Sequence, residues 1–441
     1  MSKGISVIDI GTTGVRVLVA KIAEGRSPQI IAKADVVCKN AVKNMTIENT
    51  EAVSSAIEKA LRRIKDQTGL IIKSAYFGIS GDKISFMPNS DAITVNDDHS
   101  EDAEENIVTG RTIGTLLDRI ASVDLYADEM LIDVLPRQFY VSYDDGTNDA
   151  KVSDPTGLNC SKIRADADII IGKGDYMDIV KRCAEGAGIE VDGFVPYVFT
   201  VPYIVPDDMK DYFSEKSDKS VLVIDIGGGI TEYALYYKGA PYTVGALPVG
   251  GLNLTNDLAV VLNITPSDAE QIKLDYPLAD DALVTNDIDV ELSPIDAAEK
   301  EIVKVSYIVQ IMKARIESIL DNVAAELEDE GIMSSLIDTV ILTGDGINNF
   351  KGLDGVCESV IGKVPSVIDT ARYTGMKSSY AYAGGMVRYM AQQLRYGRKP
   401  SKIAREYQQP QETAPETKKG KVDFVQNIKT KFKNMIDSFK D

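Results

Sequence analysis

Two short stretches place a carboxylate, glycines and hydroxyls at the end of an apolar run. Near the start, SVIDIGTTGVRVLVAKI carries Asp9, Gly11, Thr12 and Thr13; from Ser220, SVLVIDIGGGITEYALYY carries Asp225, Gly227, Gly228, Gly229 and Thr231. A triphosphate with its magnesium asks for this inventory: backbone N–H groups that come close, hydroxyl donors, and carboxylates that orient the metal's water shell. Either stretch alone reads equally well as a buried strand ending in a glycine turn. The pair, with its aspartates 216 residues apart, reads as two arms of one phosphate clamp, Asp9 and Asp225 holding Mg2+ through water. A third apolar strand and glycine turn, DTVILTGDGINNF, offers Gly344, Asp345 and Gly346 as a surface for a flat base or ribose.

The elements that must position these groups follow from the flanking pattern. Each acidic stretch is a β-rich run, a Gly/Thr turn and a second β-rich run, the punctuation of a hairpin with Val and Ile for buried strands. A duplication at half-chain spacing predicts two similar α/β domains around one cleft. Helical periodicity fills the intervals: a helix capped by Thr50 with Val53, Ile57, Leu61 and Ile64 on one face and Gly69 as terminator, and another from about Asp175 to Ala187. A long one is expected from about Ala297 to Glu330, with Ile302, Ile308, Met312, Ile316, Ile319, Val323 and Leu327 on one side. Strand, helix and glycine turn alternate, which is the α/β signature.

Composition removes several classes. The 441 residues are 44% hydrophobic and 26% charged, an ordinary globular balance, and no apolar run approaches the ~18 residues needed to cross a bilayer. The start of the chain lacks the pattern of a secretory signal, so an intracellular protein with reduced cysteines is expected; Cys38, Cys160, Cys183 and Cys357 form no CxxC pair. The single histidine, His99, lies in the acidic run NDDHSEDAEE and reads as solvated loop. A net charge of −19 makes nucleic acid an unsuitable partner. Residues 418–441 carry seven lysines and three aspartates, a net +4, which leaves −23 on the rest.

The two DIG turns and the later strand-TG-x-G resemble the phosphate-1, phosphate-2 and adenosine motifs of the actin-like ATPase superfamily. PVGGLNLTNDLAVVL followed by ITPSDAEQIKLDYP, and VLPRQFYVSYDDG followed by DPTGLNCSKIRADADIIIG, further resemble segments of the bacterial division protein FtsA. The resemblance implies an actin-like α/β fold. It divides the chain into a first core domain (1–82 and 164–195), an inserted subdomain (83–163), a second core domain (196–240 and 335–396) and a smaller subdomain of the second half (241–334). It also implies that Glu270 and Lys273, spaced i and i+3 on a helix, approach the nucleoside of ATP. Arg315, in IMKARIESIL, becomes a candidate for contact with an acidic peptide or a neighbouring subunit. Three departures bear on turnover: Gly14 stands where many relatives carry lysine, GGGITE replaces GGGTTD, and Asp345 stands where glycine is usual. FVPYVFTVPYIVP offers no acid or amide to orient an attacking water, so the sequence names no catalytic base, Glu232 being a candidate, and tight ATP binding with slow or negligible hydrolysis is expected.

The tail is readable without any family. Residues 397–421 are polar, proline-bearing and without apolar period, a flexible linker. In residues 422–441, at ~100° per residue, Phe424, Val425, Ile428, Phe432, Met435, Ile436 and Phe439 fall within an arc of roughly 120°, with Lys429 among the lysines beside or opposite it. That pattern predicts an amphipathic helix lying in an anionic membrane surface. Such a face buries on the order of 7 to 10 kcal/mol gross, before ordering costs, so one tail binds weakly and an array of tails binds firmly. Together with this tail, the resemblance to FtsA implies a protein that binds ATP and Mg2+, assembles with itself into actin-like filaments on the cytoplasmic face of the membrane at the division site, and tethers FtsZ there by holding the FtsZ C-terminal peptide, alongside other division proteins. The rival readings are a small-molecule kinase on the same fold and a PilM-like adaptor of pilus assembly.

Overall fold

The computed structural model describes residues 3–22, 27–43, 45–95, 106–143, 149–214, 216–296, 299–347, 349–370 and 376–394. All of them fall in the unit that spans residues 1–404. His99, the linker and the amphipathic tail lie outside the described residues.

Alternating apolar residues build the first half as a meander. Strands β1 (Lys3–Ile10) and β2 (Gly14–Ile22) form an antiparallel hairpin in which Asp9 stands opposite Arg16, and β3 (Gln29–Val37) pairs antiparallel with β2. A parallel partner for β1 needs a crossover, and helix α1 (Thr50–Thr68) supplies it before β4 (Ser74–Ile79). Helix α1 buries Val53, Ile57 and Ile64 as its period predicts, but its N-cap is Asn49, whose side chain accepts from the Ala52 amide; Gly69 ends it in the left-handed region.

The chain then leaves the first half to make a separate sheet. Strands β5 (Ile84–Thr94), β6 (Glu129–Ser142), β7 (Asp149–Val152) and β8 (Lys162–Lys173) lie in the order β5-β8-β6-β7, with α2 (Gly110–Ile120) burying Ile113, Leu116, Leu117 and Ile120 against them. The expected border after residue 163 falls inside β8, all of which pairs within this inserted sheet. Helix α3 (Gly174–Gly186) returns the chain to β9 (Glu190–Pro196), parallel to β4, giving the order β9-β4-β1-β2-β3.

A 3₁₀ segment, Tyr197–Tyr203, leads across to the second half, which repeats the first. Strands β10 (Ser220–Ile226), β11 (Thr231–Tyr237) and β12 (Ala240–Leu247) form the meander, with Asp225 opposite Glu232. Helices α4 (Gly251–Val261), α5 (Pro266–Asp275) and α6 (Val305–Asp329) occupy the crossover. Strand β13 (Thr339–Thr343) pairs parallel with β10, and α7 (Leu353–Ile361) leads to β14 (Ser366–Val367), parallel to β13. The order β12-β11-β10-β13-β14 is the topology of the first sheet, strand for strand.

The long helix is shorter than expected. Glu301–Lys304 is a strand paired with Asp289–Leu292, so Ile302 sits on a surface ribbon, 68% exposed, while Ile308, Met312, Ile316, Ile319, Val323 and Leu327 are buried by α6. The run EIVK is half β-branched, and ribbon pairing takes it before the helix begins. Finally α8 (Ala381–Gln393) crosses back to pack on β1, β2 and the Tyr197–Tyr203 segment. Its Tyr389 ring stacks on Phe199 at 5.9 Å, and the Tyr389 hydroxyl donates to Asp133 of β6 at 2.8 Å, tying the inserted sheet to the crossing. No helix among the described residues is long and apolar enough to cross a membrane.

Candidate nucleotide cleft

Both hairpin turns open on one cavity of about 220 Å³, lined by Asp9, Gly11, Thr12 and Thr13 from the first half and by Asp225, Gly227 and Gly228 from the second. The turns meet. A Cβ on Gly228 would lie 2.9 Å from Thr13 Cγ2, and one on Gly229 would lie 2.4 Å from Thr12 Cγ2, so only glycine lets the two backbones approach. The first turn is closed by the Gly11 amide donating to the Gly14 carbonyl at 2.9 Å. The second is held from behind: the Gly251 and Leu252 amides, at the start of α4, donate to the Gly227 and Gly228 carbonyls at 2.9 and 2.7 Å. The Gly227 amide is spent on the Ile230 carbonyl at 2.9 Å, and with the turn's carbonyls engaged the Gly228 N–H, on the cavity wall, is left to offer a ligand.

The third glycine turn packs on the second. Gly344 adopts φ +121°, and a Cβ on Gly346 would sit 2.3 Å from the Gly227 carbonyl oxygen. Gly344, Asp345 and Gly346 all line the cavity, as do Glu270 and Lys273. On α5 the Lys273 ammonium donates to Glu270 at 2.7 Å, to Thr255 Oγ1 at 2.9 Å and to the Gly251 carbonyl at 3.2 Å. Burial would raise the Glu270 pKa, but the hydrogen bonds from Lys273 and Thr255 prevail and hold it below the usual glutamate value.

Two of the expected residues stand elsewhere. Thr231 is fully buried and its hydroxyl donates to the Val249 carbonyl at 2.8 Å, because the first residue of β11 alternates away from the cavity. Gly229 serves the contact with Thr12 instead of the cavity wall. Arg315 is held in a bidentate pair with Asp257 of α4, at 2.5 and 2.9 Å, so any partner must compete with that carboxylate.

Several lining residues escape a reading of the sequence. Arg16 reaches Asp9 at 3.4 Å and donates to Thr13 Oγ1 at 2.9 Å; its position opposite Asp9 in the hairpin register is the available signal. Tyr197 donates to Asp9 Oδ1 at 2.5 Å, and Tyr382, at the start of α8, stands beside Asp225. Neither tyrosine carries a local signal, since each partner lies in a distant part of the chain. Glu232 lines the cavity and accepts from the Gly81 amide at 2.9 Å, bridging the halves.

The electrostatics of the protein side of the cleft are those of crowded acids. Burial raises Asp9 despite the opposing pull of Arg16 and Tyr197. Burial, helped by Asp345 and Asp9, pushes Asp225 to about 7, and burial pushes Glu232 to about 8. Tyr197 and Tyr382 are driven well above their usual value by the same burial. Asp225 and Glu232 bind their protons more tightly folded than unfolded, so the stability they contribute is whole below about pH 4 and is lost as pH rises through 7 to 8. Thermal melts of the ligand-free protein should therefore fall between pH 6 and pH 8.5, and Glu232→Gln should flatten the slope; a rising profile would contradict the assignment.

Among the described residues no group of three acidic, histidine or cysteine ligands preforms a cation cage. Two carboxylates on opposite arms of a glycine-lined cleft fit a magnesium ion that arrives with phosphates and keeps its waters. Asp9 and Asp225 would hold it, and the charge it brings is the one these crowded acids lack.

Two halves of one topology closing on a shared cleft define the actin-like ATPase fold. PilM of the PilM–PilN type IV pilus biogenesis complex matches over 89% of this chain and 98% of its own, with TM-score 0.53 and 13% identity. MreB5 of Spiroplasma citri, solved bound to ADP, matches over 90% and 98%, with TM-score 0.51 and 12% identity. Within that class the chain is similar to the bacterial cell division protein FtsA. The family model described as Cell division protein FtsA matches residues 222–418. Cell division protein FtsA of Bacillus subtilis (strain 168) is 26% identical over 398 residues, 89% of this chain and 84% of that protein. That of Escherichia coli (strain K12) is 22% identical over 396 residues, 87% and 89% respectively.

Proposed function

We propose that this chain acts in bacterial cell division as an FtsA-type protein that binds ATP with Mg2+ in the cleft, assembles on the membrane through its C-terminal tail and tethers FtsZ. The observation that carries the reading is the meeting of Asp9 and Asp225, from duplicated hairpins, on one glycine-lined cavity. In it, the amides of the two turns and the hydroxyls of Thr12 and Thr13 grip phosphates, Asp9 and Asp225 orient the ion's water shell, and Glu270, Lys273, Gly344 and Gly346 meet the nucleoside. Bound Mg2+ supplies charge neutralisation between the phosphates and the acids. Among the described residues of the cleft, Glu232 is the carboxylate placed to take a proton from water. Burial raises its pKa to about 8 against the opposing pull of the Gly81 amide, which favours a proton held over a proton taken and supports slow turnover.

The ribbon strands Asp289–Leu292 and Glu301–Lys304, with α4 to α6, belong to the subdomain we assign to the FtsZ C-terminal peptide. Pull-down with that peptide, with and without ATP, tests the partner: retention supports the tether, and a clean wash-through supports the PilM-like adaptor. Vesicle co-sedimentation tests the tail. Full-length protein should pellet with anionic vesicles and a chain ending at Lys399 should lose most of that binding, with salt weakening what the lysines contribute; equal pelleting of the two would leave the kinase reading standing.

A further inference from the structure

Each half of the molecule reaches the other by one crossing, and each crossing begins with a tyrosine. Tyr197 opens the segment that leads from β9 to the second half; Tyr382 lies in the first turn of α8, which returns from β14 to pack on β1 and β2. The Tyr197 hydroxyl donates to Asp9 Oδ1, on the strand that ends the first hairpin arm, while Arg16 approaches Oδ2. Tyr382 stands beside Asp225, the equivalent residue of the second half, and both line the cleft. The two rings are themselves in contact, with centroids 4.8 Å apart and planes at 46°. Asp9, Tyr197, Tyr382 and Asp225 thus form a continuous chain across the floor of the cleft.

We propose that Tyr197 and Tyr382 are paired positioning residues, whose hydroxyls orient the two carboxylates and whose ring contact sets their separation, so that both face one divalent cation carried by a bound nucleotide. The inference rests on the nucleotide reading above. A hydroxyl donating to one oxygen of a carboxylate leaves the remaining lone pairs with a fixed direction, and such outer partners of metal-binding groups typically account for 10–100-fold in metal affinity. The ring contact adds what a pair of independent hydrogen bonds lacks: movement of one carboxylate is felt at the other through packed side chains.

The test compares Tyr197→Phe and Tyr382→Phe, which keep the rings and remove only the hydroxyls, with the full-length wild type. Titration calorimetry with ADP is run in excess Mg2+ and again in EDTA. Each variant should lose about tenfold in affinity with Mg2+ and little in EDTA, and the double variant should lose less than the product of the two. Tyr389→Phe removes a buried hydroxyl from the same helix without touching either aspartate, so it should leave the Mg2+ dependence unchanged. Equal losses with Mg2+ and EDTA, or no loss in either variant, would overturn the positioning role while the nucleotide site stands. A wild-type protein that binds no ADP in either condition would instead overturn the underlying reading. Should a Phe variant melt early, bound Mn2+ followed by electron paramagnetic resonance at low temperature reads the cation alone: weaker Mn2+ binding supports the positioning role, and unchanged binding overturns it.

Discussion

Asp225→Asn and Asp9→Asn should move stability in opposite directions while both weaken Mg2+-dependent nucleotide binding. Among the described residues no cation offsets Asp225; burial, with Asp345 and Asp9 nearby, pushes it to about 7. A neutral amide removes that charge at pH 8, and the ligand-free protein should gain about 1 kcal/mol, a rise of a few degrees in melting temperature. Asp9 differs because Arg16 leans on it, with only 11% of the arginine side chain exposed. Asp9→Asn leaves that guanidinium with the more distant Asp35, at 3.9 Å, as its paired carboxylate and should cost about 2 kcal/mol. In either variant the affinity for nucleotide with Mg2+ should fall by roughly 100-fold, since one of two carboxylates holding the ion is gone. Melting curves with and without ADP and Mg2+ read both effects at once. Matching stability changes at the two duplicated positions would show that Arg16 does not distinguish them.

Gly344→Ala should be among the most damaging single changes in the chain. Its φ of +121° lies where only glycine is comfortable, and a Cβ there would stand 2.2 Å from the Ile226 carbonyl oxygen and 2.6 Å from its amide nitrogen. Relief requires β10 and β13 to part at the residue that follows Asp225, so the second glycine turn must shift. A loss of about 3 kcal/mol or more is expected, with nucleotide binding lost even at temperatures where the protein remains folded. Gly362→Ala is the matched comparison: its φ is +78°, but a Cβ there meets nothing within 4 Å among the described residues. It should cost about 1 kcal/mol and leave binding intact. Similar damage from both would mean that the backbone contact at Gly344 is incidental to the cleft.

What the amino acids reveal in advance is local and repeated. A hairpin announces itself by period and punctuation, and two of them half a chain apart predict the duplicated sheets. The same pattern brings Asp9, Asp225 and the glycines around them to one cavity. The pairing of Glu270 with Lys273 follows from helical spacing alone. Errors arise where a neighbour outside the segment decides the outcome. Ile302 fits a helical stripe, yet the strand Asp289–Leu292 captures it. Thr231 matches its motif, yet the pleat of β11 turns it towards Val249. Tyr197 stands in a stretch without an acid or amide, and Tyr382 in a helix with no motif. Their partners lie 188 and 157 residues away in sequence, a separation that no periodicity encodes. Arg16 is within reach, since a two-stranded register puts it across from Asp9.

The proposed function puts one nucleotide in the grip of both duplicated hairpins at once, and a structure determined with an ATP analogue and Mg2+ would show that grip or refute it. A single triphosphate should lie between residues 11–13 and residues 227–228, with one ion whose waters touch Asp9 and Asp225 together. A nucleotide resting on one hairpin alone, with the other aspartate turned away from the ion, would contradict that arrangement.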